Sequence, residues 1–249
     1  MGQERMTVDE WNEIRVLVDE YVQKLDDEKR MVRPESSKTE DEKLIEELAR
    51  RVYERSVMIE PAITNDIREL TRSTNGSLLG RYDYQEGVIT PSHVLKEKAS
   101  IKRKIVGDSA AYHGSFEEAA NHLRDSVRYT IIFDDDSYIQ GVDSFLHQLE
   151  DLGYYDIEVK NNWGSETCQG INAKLKTSDG IYFEIQFHTP YGHHIKEECT
   201  RTLYRVIRDD DAPGKLKFKA NKLRKILQAS VKMPVNAKDY QFQSGMKRR

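Results

Sequence analysis

Apolar residues recur at helical spacing over residues 8 to 27, where Trp11, Ile14, Val18, Tyr21 and Leu25 share one face, so the pattern predicts an amphipathic helix. The next stretch, LDDEKRMVRPESSKTEDEK, is nearly free of apolar residues and contains Pro34, which predicts a solvated linker near 28–42. Leu44, Leu48 and Val52 mark a second helix. Pro61, at an N1 position, opens a third through AITNDIRELTRS, and STNGSLLG ends this region with turn chemistry. From about residue 93 the pattern alternates. KASIKRKIVG and SFEEAANHLRDS predict helices, VRYTIIF a strand stopped by three Asp, and YIQGVDSFLHQLEDLG a helix ending at Gly153. YDIEVKNNW, GINAKLKTS and IYFEIQFHT predict strands, the last two joined by a hairpin turn at Asp179 and Gly180. Helices over 192–208 and 214–231 follow. The fold class is α+β, a mixed, mainly antiparallel sheet flanked by helices and preceded by a helical N-terminal region. The expected divisions are 1–75 helical, 76–235 the α+β domain and 236–249 a tail.

The strand in GIYFEIQFHTP has two unlike faces. Ile181, Phe183, Ile185 and Phe187 point one way, to a core, and Tyr182, Glu184, Gln186 and His188 point the other. A solvated antiparallel face would account for polar residues alone; a carboxylate, an amide and an imidazole in one row suit a site as well. His193 and Glu197 follow at i and i+4 on the next helix, and Arg201, Tyr204, Arg205 and Arg208 continue their face. The opposite stripe, Ile195, Cys199, Leu203 and Val206, is expected to be core. Upstream, Lys96, Ser100 and Lys104 fall at i, i+4 and i+8 of the predicted helix with Arg103 beside them, a grouping able to grip a polyphosphate or simply a basic surface. Asp125 and Arg128 stand at a strand start. No P-loop and no dinucleotide fingerprint occurs, and His188, His193, His194 and Cys199 lack the spacing of a zinc motif.

Composition narrows the picture. A formal net charge of -4 over 249 residues disfavours a duplex-DNA coat. No apolar run approaches the ~20 residues that cross a bilayer. Two cysteines exclude a disulfide framework, so a cytoplasmic protein, made there or delivered there, is expected.

In chain order, KEKASIKRKI, RDSVRYTIIF, CQGIN, FEIQFHTP and HHIKEE resemble the synthetase domain of the RelA/SpoT alarmone family, in its toxin-like branch, over residues 65 to 235. The most specific elements are EIQFHT, similar to the family's EIQIRT, and the following His193-x-x-x-Glu197. The resemblance implies a Mg²⁺-dependent pyrophosphokinase that moves the pyrophosphate of ATP to a ribose 3′-hydroxyl of a purine nucleotide, GDP/GTP or ADP/ATP. It implies Asp125 as a metal ligand, Glu184 as the second metal ligand or as the base that takes the hydroxyl proton, and Gln186 orienting Glu184 or the acceptor. It further implies Lys96, Ser100, Arg103, Lys104 and Arg128 on ATP, with Lys160, Trp163, Asn172, Tyr182, His188, His193 and Glu197 supporting the acceptor side. Departures occur where the family carries two arginines (Val94, Thr130), a stacking Tyr (Cys168) and a His (Asn172). His93 stands next to the first of these positions, and Trp163 or Tyr182 is an alternative platform. The acceptor is left open between guanine nucleotides, adenine nucleotides and the 3′ end of tRNA. The tRNA alternative draws on Lys215, Lys217, Lys219, Lys222, Arg224, Lys225 and Lys247 to Arg249. A non-catalytic nucleotide- or protein-binding module is the other alternative. A neutralising antitoxin is an implied partner; a membrane and duplex DNA are not.

Overall fold

The computed structural model describes residues 6–29, 38–79 and 94–245. His93 and Lys247 to Arg249 lie outside the described residues. Two compact units emerge, and neither is a single stretch of chain. The first gathers 6–29, 164–169 and 191–233; the second gathers 38–79, 94–163, 170–190 and 234–245.

In the second unit the long helix α2 (Glu40–Ser73) begins with a capping box. Thr39 Oγ1 accepts from the Glu42 amide at 3.2 Å, and the Glu42 carboxylate accepts from the Thr39 amide at 2.8 Å. Pro61 lies inside this helix and does not begin a third one. The apolar stripe of Leu48, Val52, Ile63, Ile67 and Leu70 is buried on both sides of it, so packing carries the helix past the missing amide. After the turn at Asn75 and Gly76 a two-residue strand, β1 (Ser77–Leu78), appears where only a turn was expected. Next come α3 (Lys98–Ser109) and α4 (Phe116–Asn121), whose Ile101, Ile105, Ala119 and Ala120 pack on Leu48, Ala49 and Val52 of α2.

The sheet follows with β2 (Arg128–Ile132), β3 (Tyr155–Asn161), β4 (Ile171–Lys176) and β5 (Tyr182–His188), and with α5 (Tyr138–Asp151) between β2 and β3. Its order is β1-β2-β5-β4-β3. Only β2 and β5 pair in parallel; the other neighbours are antiparallel, as a mixed, mainly antiparallel sheet requires. The apolar face carries Tyr129, Ile131, Ala173, Phe183, Ile185 and Phe187, all buried; Phe187 packs on Phe145 of α5, and the Tyr129 hydroxyl meets Thr64 of α2. Tyr138 ties two strands together: its hydroxyl donates to the Phe187 carbonyl at 2.7 Å and accepts from the Ile171 amide at 3.1 Å. Gly141 makes room on α5 for the Phe133 ring, whose Cδ1 would stand 2.5 Å from a Cβ added there. The segment after Pro234 belongs to this unit. Asn161 donates to the carbonyls of Ala237 and Tyr240, and Tyr240 donates to Asp143.

In the first unit, α1 (Val8–Lys29) buries Ile14, Val18 and Val22 against Leu203, Val206, Ala220 and Leu223 of the C-terminal helices. The single helix expected over 192–208 is broken into α6 (Pro190–His194), a π turn (Ile195–Cys199) and α7 (Arg201–Ile207), with α8 (Gly214–Ala229) after it. The π turn inserts a residue and shifts the phase. Ile195, Leu203 and Val206 reach the core as expected, but the buried place expected for Cys199 goes to Thr200, 4% exposed, and Cys199 is only half-buried.

Candidate active site

The polar face of the sheet is built in rows by strand register. Arg128, Glu184, Lys174 and Glu158 stand side by side across β2, β5, β4 and β3. Thr130, Gln186, Asn172 and Lys160 form the next row. This face is not a solvated surface on β5: Glu184, Gln186 and His188 are 6%, 7% and 1% exposed. Burying a carboxylate is costly unless it is hydrogen-bonded or paired. Asn172 meets part of that cost, its Nδ2 donating to Glu184 Oε1 at 2.8 Å.

At the β2 entrance the chain is pinned by Lys96 donating its amide to the Ser126 carbonyl, and by Glu184 donating its own to Val127. Lys96 therefore lies on the extended segment before α3, not on the helix where its spacing placed it. Its ammonium sits 2.6 Å from Asp125 Oδ2, and Lys104, from α3, approaches the same oxygen at 3.7 Å. The other oxygen of Asp125 is buried and has no partner. Burial pushes the Asp125 carboxyl up, but the charge and hydrogen bond of Lys96, with Lys104 and Arg128 behind it, hold it below its ordinary value. Burial likewise pulls the Lys96 ammonium below the ordinary lysine range, against the pull of Asp125.

The remaining candidates divide. Ser100 is half-buried and Arg103 exposed on α3, joined by a 3.3 Å hydrogen bond. Arg128 is exposed, and Val94 is buried at 4%. Trp163 is also buried, its ring edge-on to Tyr138, so it offers no open stacking face. Tyr182 is engaged already: Arg124 and Lys176 lie 4.6 and 4.5 Å from its ring, and its hydroxyl donates to Asp156 at 3.0 Å. Lys160 is exposed. His188 packs beneath Gly170, where a Cβ would meet its Nδ1 at 2.6 Å; at φ +142° this position also demands glycine. His193 and Glu197 belong to the first unit, where burial lowers the His193 imidazole and Glu197 opposes that shift. Among the described residues no three His, Cys, Asp or Glu side chains converge as a metal cage.

Sequence reasoning passed over Lys174, Lys176 and Arg124. The signal was present: Asn172, Lys174 and Lys176 alternate along INAKLK and share the Glu184 face. No carboxylate among the described residues lies within ion-pair distance of Lys174, although two glutamates flank it in register.

No protein-family model and no curated protein matches this chain. Solved structures do. The chain is similar to small alarmone synthetase 2 of Bacillus subtilis, at 16% identity over 74% of this chain and 91% of that one, with a TM-score of 0.44. It is similar to small alarmone synthetase 1 of the same organism, solved with its product pppGpp, at 16% identity, coverages of 71% and 87% and a TM-score of 0.43. It is also similar to the type VI effector Tas1, solved in complex with its immunity protein, at 18% identity, coverages of 73% and 96% and a TM-score of 0.44. No helix among the described residues is long and apolar enough to cross a membrane.

Proposed function

We propose that this protein is an ATP-dependent pyrophosphokinase that transfers the β,γ-pyrophosphate of ATP to the ribose 3′-hydroxyl of a purine nucleotide. The observation that carries the proposal is the pairing of a buried, oriented Glu184 with a cationic cluster around Asp125. Glu184 Oε1 is held by Asn172, which leaves Oε2 to take a proton from a hydroxyl. Lys96, with Ser100, Arg103 and Lys104 of α3, holds the triphosphate, and Arg128 lies beside the nucleoside. The acceptor oxygen attacks the β-phosphorus of ATP. The bond from that phosphorus to the α,β-bridging oxygen breaks, AMP leaves, and the hydroxyl proton passes to Glu184.

The donor set fits a magnesium ion. Mg²⁺ usually takes one or two protein carboxylates and completes its shell with phosphate oxygens and water. The orphaned Oδ1 of Asp125 is a ligand of that kind, and Glu184 is the second. Bound there, the ion would neutralise charge on the transferred phosphates.

An activity that drains purine nucleotides arrests growth, so the proposal extends to a toxin or alarmone synthetase with a neutralising partner protein. The tRNA alternative is less favoured, because Lys219 and Lys225 of the α8 track are paired with Glu13 and Glu166. The test is label transfer from γ-labelled ATP with Mg²⁺ to GDP, GTP, ADP, ATP or tRNA, offered separately. Label on one nucleotide acceptor, absent with Glu184→Gln, is expected. Label on tRNA alone would move the proposal to that acceptor, and intact ATP with every acceptor would overturn it.

A further inference from the structure

We infer that Asn172 is a specificity-determining residue that reads the second hydroxyl of the acceptor ribose, the one beside the hydroxyl that reacts. The inference deepens the proposed function and rests on it. Asn172 lies on β4, in register with Gln186, and donates through Nδ2 to Glu184 Oε1 at 2.8 Å. An ionised carboxylate only accepts hydrogen bonds, so this contact fixes which way the amide faces. Nδ2 is turned to Glu184 and Oδ1 away from it.

That Oδ1 is buried and has no partner. Lys160, its cross-strand neighbour on β3, is exposed, and its ammonium does not satisfy it. A buried acceptor without a donor is costly, and folded proteins leave few of them. At a site that binds a nucleotide, the ligand is a ready source of that donor.

The reacting hydroxyl cannot be that donor, because its single proton goes to Glu184. The nearest further donor on the acceptor is the adjoining hydroxyl of the same sugar. A vicinal diol offers two O–H groups side by side. Glu184 and Asn172, joined by one hydrogen bond, offer two acceptor oxygens to match. Base N–H groups lie across the sugar from the reacting oxygen. A site built to hydrogen-bond a hydroxyl discriminates against the analogue that lacks it, because its own polar group is then left unmet.

The experiment compares kcat/KM for matched acceptors, GDP with 2′-deoxy-GDP and ADP with 2′-deoxy-ADP, in the wild type and in Asn172→Ala. The wild type is expected to prefer the ribonucleotide by about 10-fold or more. In Asn172→Ala that ratio is expected to fall towards one, while turnover falls for both acceptors because Glu184 is less well held. A wild-type ratio near one overturns the inference without any variant, so a poorly folded Asn172→Ala does not shelter it. A preference kept intact in a folded Asn172→Ala overturns it too. Absence of label on every acceptor is a different result: it removes the proposed function, and this inference with it.

Discussion

The ammonium of Lys96 lies 2.6 Å from Oδ2 of Asp125, with both side chains less than a fifth exposed. Removing the carboxylate would leave a largely buried cation with no close partner. Breaking a fully buried pair costs about 3–5 kcal/mol, and the residual exposure here puts Asp125→Asn below that range. Lys96→Met combined with Asp125→Asn is expected to recover much of the loss. A double-mutant cycle by urea unfolding checks this; additive losses would show that the pair contributes nothing as a pair.

Glu184→Gln is expected to fold with little loss of stability. Its amide oxygen can accept from Asn172 as Oε1 does. Transfer activity should nonetheless fall by about 10²-fold or more, within the range of a lost general base. Matching melting curves beside unequal label transfer would separate chemistry from folding.

Gly141→Ala is expected to destabilise by about 1–3 kcal/mol, as overpacking does. The added methyl would meet the Phe133 ring at 2.5 Å, and that ring is already stacked on Phe187. A melting temperature equal to wild type would mean that the aromatic core yields more easily than its packing suggests.

Trp163→Ala should lose about 3–5 kcal/mol of stability, as large core truncations do, because the ring is 5% exposed and rests on Tyr138. Its acceptor selectivity should stay as in the wild type. A change of preferred base in this variant, measured by label transfer to the separate acceptors, would restore Trp163 as a stacking platform.

His147 titrates under the segment after Pro234. Its ring nitrogens face the carbonyls of Asp143 and Gln243, at 2.9 and 3.2 Å, and only the doubly protonated ring donates to both. The Asp143 carbonyl first, then nearby carboxylates and Gln243, raise the imidazole above its ordinary value. A raised value gives stability that is complete below the unfolded pKa, about 6.5, and is lost as pH rises through the folded one. Amide exchange over 237–245, corrected for its intrinsic pH dependence, should therefore be better protected at pH 5.5 than at pH 8. His147→Phe should abolish the difference.

Several of these features were legible in the amino-acid sequence. The period of two in IYFEIQFH gave the core face of β5 and the polar row that holds Glu184. What period cannot reveal is depth: Gln186 and His188 lie buried, His188 against Gly170, a tertiary effect. The helix over 192–208 misled because a π turn adds one residue without altering local composition, and Thr200 takes the place of Cys199. Pro61 misled because its N1 preference is local while the stripe from Leu48 to Leu70 is not. Lys96 meets Asp125, a contact the sequence did not suggest, from ahead of the helix assigned to it, which starts two residues later.

The strand order has a consequence for timing. The parallel partner of β2 is β5, the last strand among the described residues, with β3 and β4 made in between. A ribosome adding about 5–20 residues per second releases Asp125 seconds before Glu184. Until then no nascent chain holds both carboxylates, and any product cut short ahead of residue 184 lacks one of them. Synthesis itself would thus keep the proposed site incomplete until β5 has been made.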